Sequence, residues 1–409
     1  MSATPIANAK APSPATSAAR AARLPWWGLL ALSAAAFSAV LTEQLPAGLL
    51  PAMSRSLHVS QGRVGFLVTS YAAASFLAAI PVTAALRGLP RRPVLAGALA
   101  GFALGNAVTA ISSSYPLTFA ARLLAGAMGG TLWAMLAGYA ARMVPAQRRG
   151  RAMAVVLAGI TVALSLGIPA GTAFAAAVGW RAAFGTLAAL AVVLVAWVRW
   201  QVPGFPGEPA AGRSPLRRVA AMPGIPAILT ITVLLLLGHQ ALYTYLAPFA
   251  RRAGLGQVSL VLFVFGIATV AGIWIVGTVI DRHLRPALLT ALTLVAGAML
   301  GLGLLGRSPA VLLVAVACWG AALGGAPTLL QTALVRVSGP GNADVATSMQ
   351  ATVYNIGIAA GSAAGGITLQ SAGAGALPWV ALPLVTAALV AAALATAAVA
   401  AGRITTCIA

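Results

Sequence analysis

Long apolar runs broken by short polar stretches are the main pattern along this chain. Runs of about 20 residues or more, the length a helix needs to cross a hydrocarbon core, recur from Pro25 almost to the end. They do not alternate apolar with polar positions, as barrel strands would. The runs and their polar punctuation predict twelve helices, at 26–51, 63–86, 93–112, 115–143, 151–177, 180–200, 223–249, 257–280, 286–305, 309–335, 345–371 and 377–401. The fold class expected is an all-α polytopic membrane protein with twelve transmembrane helices in two six-helix bundles. Residues 201–222, rich in Pro, Gly and Arg, read as a cytoplasmic linker between bundles at 25–200 and 223–402. Residues 1–24 read as a disordered cytoplasmic lead-in and 403–409 as a cytoplasmic tail.

Composition agrees. Of 409 residues 60% are hydrophobic and 7% charged, and the mean hydropathy is +0.96, too apolar to give a soluble protein a polar surface. The net charge of +21 does not form a nucleic-acid patch, because the basic residues sit in short loops. With the N-terminus placed inside, 18 of the 25 basic residues fall on the cytoplasmic side, six fall outside and Arg122 lies within a helix. That bias predicts N-in, C-in topology in the cytoplasmic membrane. Cys318 and Cys407 make no disulfide framework or metal cluster. A nucleotide-binding loop of the Gly-x-x-x-x-Gly-Lys type is absent, and four acids with three histidines build no catalytic set, so neither cofactor, metal nor enzyme activity is expected.

Glu43 is the residue that changes the picture. The other carboxylates, Glu208, Asp281 and Asp344, fall where loops are expected, whereas Glu43 lies inside the first apolar run. An ionised acid in a bilayer costs several kcal/mol and marks proton relay or substrate contact. Arg122 is its counterpart in the fourth run. At 1.5 Å per residue both residues lie about 10–12 Å from the outer ends of their spans, so they are expected at similar depth. Desolvation favours the neutral acid and a nearby guanidinium favours the charged one, a balance that could shift as a cavity opens. The alternative is a static ion pair that fixes helix packing.

The two halves echo each other at offsets of 194–197 residues. Gly167 and Gly171 fall on Gly361 and Gly365, and Glu43-Gln44 falls on His239-Gln240. His239 is either a substrate or proton ligand or a packed histidine. Gln44, Gln240, Trp133, Tyr139, Tyr243, Gln331 and Asn355 add sparse amides and aromatic rings within the spans. Such a set suits a mostly apolar ligand site. Trp26, Trp27, Trp180, Trp200 and Trp379 lie at span ends and read as interfacial anchors.

Thr42-Glu43-Gln44-Leu45-Pro46-Ala47-Gly48-Leu49-Leu50-Pro51, followed by Leu67-Val68-Thr69-Ser70-Tyr71-Ala72, resembles the first-helix signature of the major facilitator superfamily, in its proton-driven efflux branch of sugar, drug and purine-nucleoside exporters. Arg122 through Gly130 is similar to the fourth-helix arginine motif. Gly167-Ile168-Pro169-Ala170-Gly171 is similar to the antiporter motif, with Ile168 intervening where Gly-Pro is usual. The gating-loop motif is imperfect in the first half, where Arg87 stands in place of an acid. The second-half copy, Gly277 to Asp281-Arg282, keeps the acid. The resemblance implies a proton-coupled antiporter that exports small molecules by alternating access. Glu43 and Arg122 would couple protons and Asp281 would gate. The partners implied are a small-molecule substrate, protons and the lipid bilayer, with no nucleic acid and a monomeric state. An importer or facilitator of the same fold, and a membrane receptor without transport, are the alternatives.

Overall fold

A main chain in hydrocarbon has no water to bond, so each apolar run closes its hydrogen bonds within itself as a helix. The computed structural model describes residues 24–86, 88–145, 148–207, 216–339 and 342–400, and its regular elements there are all helical. In chain order they are α1 (Trp26–Leu57), α2 (Gln61–Ala85), α3 (Arg91–Ile111), α4 (Tyr115–Arg142), α5 (Arg149–Val162), α6 (Ile168–Val178) and α7 (Trp180–Gln201). There follow α8 (Leu216–Ala220), α9 (Ile225–Tyr243), α10 (Leu246–Arg252), α11 (Val258–Ile280), α12 (Arg282–Leu305), α13 (Pro309–Ser338), α14 (Ala343–Ala372) and α15 (Leu377–Ala400). Among the described residues ten helices are long and apolar enough to cross a membrane, α5 and α6 counting as one. The helices α2 and α14, of 25 and 30 residues, have the length as well and lie against each other.

Several boundaries differ from the sequence expectation for identifiable reasons. The first span runs six residues beyond 51, because Pro46 and Pro51 are accommodated inside α1. It stops at Leu57, where His58 turns left-handed (φ 52°, ψ 42°) and donates its N–H to the Ser54 carbonyl. The fifth span is divided by a π turn at Ala163–Gly167 that ends two residues before Pro169. A proline cannot donate to the carbonyl four residues back and its ring crowds it, and a wider turn absorbs that misfit. The expected seventh span is two helices, α9 and α10, parted at Thr244–Tyr245. Between α11 and α12 the expected loop shrinks to a kink at His283 (φ −132°, ψ 38°). Trp26, Trp27, Trp200 and Trp379 are exposed at helix ends. Trp180 is not an interfacial anchor. It is 4% exposed, edge-on to Phe184, with the Arg181 guanidinium 4.4 Å from its ring centre.

Two glycine pairs decide the helix packing. Gly126 and Gly130 on α4 press against the main chain of Tyr71 and Ser75 on α2, leaving no room for a Cβ. Gly320 and Gly324 on α13 press in the same way on Phe265 and Thr269 of α11. All four residues of the first contact fall on those of the second at an offset of 194 residues, so one small-xxx-small contact has been built twice. Helices from the first and second halves of the chain meet through α2 with α14, and through α1 and the π turn with α11. At that second seam Gly48 faces Leu262 and Gly266 faces the Ser165 main chain.

Candidate functional site

Arg122 is brought to Glu43 by the first of those glycine contacts, one helical turn away on α4. The guanidinium is fully buried, and it reaches main-chain carbonyls. Its Nη2 donates to the Glu43 carbonyl at 3.3 Å and its Nε to the Leu67 carbonyl at 3.4 Å. The Tyr71 ring centre lies 4.8 Å from the guanidinium carbon and that of Phe184 lies 5.9 Å away. Cation–π contact of this kind replaces part of the solvation lost on burial. The expected closeness of Glu43 and Arg122 holds, and the pair meets through the acid's peptide group. The carboxylate itself has Oε1 buried without a hydrogen-bond partner, as are Arg122 Nη1 and the Tyr71 hydroxyl. The acid is within electrostatic reach of both Tyr71 and Tyr354, the latter on α14 in the other half of the chain. Beside it, Asn106 on α3 donates through Nδ2 to Thr42 Oγ1 at 3.1 Å.

Residue 44 crosses to the other half. Gln240 Nε2 donates to Gln44 Oε1 at 3.1 Å and to Thr244 Oγ1 at 3.0 Å. Gln44 and Gln240 stand 196 residues apart, the offset that also overlays Glu43 on His239. Repeat-related residues touch only close to the axis relating the repeats, so this bond lies near that axis.

His239 lies in a group of four rings. Its ring centre is 5.0 Å from Tyr243, 5.2 Å from Trp319 and 6.0 Å from Phe265, nearly parallel to the last. Phe265 and Trp319 are 5.1 Å apart in an edge-to-face arrangement, one that favours aromatic pairs. All four residues are buried, and His239 Nδ1 and Trp319 Nε1 have no hydrogen-bond partner.

At the end of the molecule where α1 finishes, the two halves are bridged. The Tyr245 ring fits against Gly65, Gly365 and Gly366. Its hydroxyl donates to the Ser362 carbonyl at 2.8 Å, and Ser362 Oγ donates to the Gly65 carbonyl at 3.0 Å. Arg251 donates to Gln61 Oε1 at 3.0 Å, and Gln370 to Ser60 Oγ at 3.3 Å.

The remaining sequence candidates are scattered. Tyr139 gives its hydroxyl to the Pro203 carbonyl at 2.6 Å and packs on Phe205, tying down the segment after α7. Trp133 is half-buried against the hydrophobic core. Gln331 is exposed on α13, and Asn355 returns its amide to the Ala351 carbonyl of its own helix at 3.0 Å. Gly167 packs on Phe37 and Leu41, and Gly171 on Leu45, holding the π turn and α6 against α1. Pro169 follows in the first turn of α6. Gly277 and Arg282 are exposed at the α11–α12 kink, while Arg87 and the Asp281 side chain lie outside the described residues. Sequence reasoning did not single out Asn106, Phe265, Trp319 or Ser362, and it placed Tyr245 beside Tyr243 as one more ring on the seventh span. A tryptophan or asparagine within a span, away from either interface, was the available signal for Asn106 and Trp319.

These features define a multi-pass helical membrane protein with a duplicated helix scaffold and a buried polar and aromatic centre. The chain belongs to the Major Facilitator Superfamily, whose family model matches residues 32–362 and 253–406, and it is a transporter of that family. It is 34% identical over 343 residues to a chloramphenicol resistance protein of Streptomyces lividans, covering 80% of this chain and 85% of that one. It is 28% identical over 351 residues to the purine ribonucleoside efflux pump NepI of Escherichia coli strain K12, covering 85% and 88%. It is 30% identical over 355 residues to the transcription regulatory protein OpdE of Pseudomonas aeruginosa, again covering 85% and 88%. Among solved structures, the human organic anion transporter MFSD10 superposes with a TM-score of 0.66 at 19% identity, over 91% of this chain and 99% of that one.

Proposed function

We propose that this protein is a proton-coupled antiporter that exports a small drug-like molecule, sugar or nucleoside across the cytoplasmic membrane. In this reading twelve spans, N-in and C-in, form two six-helix bundles that alternate access around Gln44 and Gln240. The observation that carries it is the Glu43 carboxylate, buried between the halves with Oε1 unpartnered while Arg122 is engaged with main-chain carbonyls. A carboxyl group left without its own partner in a dry site gains or loses a proton when water reaches it, and Arg122, bonded to the main-chain carbonyl of the same residue, stabilises the ionised form. The bridges of Tyr245, Arg251 and Gln370 support a state closed on the outer side. Protonation of Glu43 from outside would then drive the return step. One proton crossing 100 mV supplies about 2.3 kcal/mol, enough for a roughly fifty-fold substrate gradient.

The names of the chloramphenicol resistance protein and of NepI support efflux and both kinds of substrate. Gating by Gly277, Asp281, Arg282 and Arg87 belongs to the same proposal, as does close approach of the fifth span through Gly167, Pro169 and Gly171. The test is Glu43→Gln in inverted vesicles loaded by an imposed proton gradient, with chloramphenicol and purine ribonucleosides as first substrates. Gradient-driven transport is expected to fall at least tenfold, with normal amounts of protein in the membrane. Wild-type rates in that variant would falsify the assignment, and transport indifferent to collapse of the gradient would favour a facilitator.

A further inference from the structure

We infer that the α12–α13 face holds one anionic phospholipid, its headgroup between Arg252 and Arg307 and an acyl chain along a groove below. A cavity of about 320 Å³ opens where α10 ends and α12 hands over to α13, and Arg252 and Arg307 both line it. Leu304, Leu305 and Val311 complete its walls. Neither arginine has a carboxylate partner among the described residues. The reason lies in the sequence, since none of the four acids belongs to the segments that meet here. The Arg252 guanidinium lies against Gly375, so closely that a Cβ there would collide with it.

Val311 also lines a second hollow, an apolar groove of about 460 Å³ that continues down between α12 and α13 as far as Thr293 and Cys318. Gly297 and Gly301 form its floor, each facing open space. The groove runs eight residue steps along each helix, from Gly301 to Thr293 and from Ala310 to Cys318, roughly 12 Å of helix and close to half of a 30 Å hydrocarbon core. Two cations above a groove one leaflet deep match a phosphate diester carrying an acyl chain. A soluble anion would use the cavity and leave the groove empty. A neutral lipid would use the groove and leave the cations unpaired.

Native mass spectrometry of the full-length protein, incubated with mixed micelles of phosphatidylglycerol and phosphatidylcholine, tests the assignment. One phosphatidylglycerol per chain is expected to be retained in roughly thirtyfold preference, the size that two basic residues near an anionic headgroup give at about 1 kcal/mol each. Arg252→Ala/Arg307→Ala should remove the preference, and Gly301→Leu, which fills the groove and leaves both arginines in place, should remove the bound lipid. A Cys407→Ser background leaves Cys318 as the one thiol. Phosphatidylglycerol should slow its alkylation by a maleimide in the parent protein and not in Gly301→Leu. Equal retention of the two lipids, an undiminished preference in the double arginine variant, or displacement of the lipid by millimolar inorganic phosphate would each overturn the inference.

Discussion

The centre of the first half and the centre of the second occupy equivalent places in a duplicated scaffold, and they carry opposite chemistry. Around the first glycine contact stand Glu43, Tyr71 and Arg122. The 194–196 residue offset replaces them with His239, Phe265 and Val316, while Trp319 fills the space alongside. The main-chain geometry is held in common, since Gly126 and Gly130 meet α2 as Gly320 and Gly324 meet α11. What differs is how each site copes with burial. Both leave polar atoms unpartnered, but the first leaves those of a carboxyl group and a guanidinium, and the second only two ring nitrogens among four rings closed on one another. Buried charge is expensive and is sensitive to water entry, whereas stacked rings are insensitive to it. Coupling therefore belongs to the first site in our reading, and the contact with the transported molecule belongs chiefly to the second.

The largest effect that would break this contrast is on stability at the aromatic site. Trp319→Ala is expected to cost about 3–5 kcal/mol through the cavity it leaves, read as a fall in the thermal midpoint of the purified protein. A loss under 1 kcal/mol would mean that the rings are not a packed unit. Arg122→Ala comes next, at about 2–5 kcal/mol, because it removes a buried side chain of large volume and strips two carbonyls of their donor. Arg122→Lys should recover part of the stability and little of the coupling, since a compact ammonium lacks the planar fork that holds both carbonyls at once.

His239→Phe sharpens the comparison. It keeps a ring in the cluster, so folding and the pH dependence of transport should stay as in the parent. The substrate KM is expected to change by about fivefold or more, on the scale of one lost polar contact. A shifted pH profile would move coupling into the second half. The smallest effect is at the junction. Gln44→Ala, Gln240→Ala and their double variant should show a coupling energy of about 0.5–1.5 kcal/mol, the net worth of one hydrogen bond. Strict additivity would remove the bond between the repeats as a contributor to the closed state.

The helical, membrane-spanning character was legible from the chain alone, because run length and the lack of polar alternation report directly on the solvent a segment must face. So were the isolation of Glu43, the intramembrane Arg122 and the offset linking residues 43–44 with 239–240, since four acids in an apolar chain leave few readings. Depth along a helix follows from counting residues, and this put Glu43 and Arg122 together. Direction around a helix does not follow in a chain whose spans are apolar on every side. Only the tertiary structure turned Arg122 toward main-chain carbonyls, gathered Phe265 and Trp319 around His239, and sent Tyr139, Gln331 and Asn355 elsewhere. The same holds for Tyr245, whose seat against Gly65, Gly365 and Gly366 needs glycines from two helices far apart in sequence. One-dimensional patterning records which solvent each segment meets, and partner choice between helices is decided by shape, which becomes visible only once they are packed.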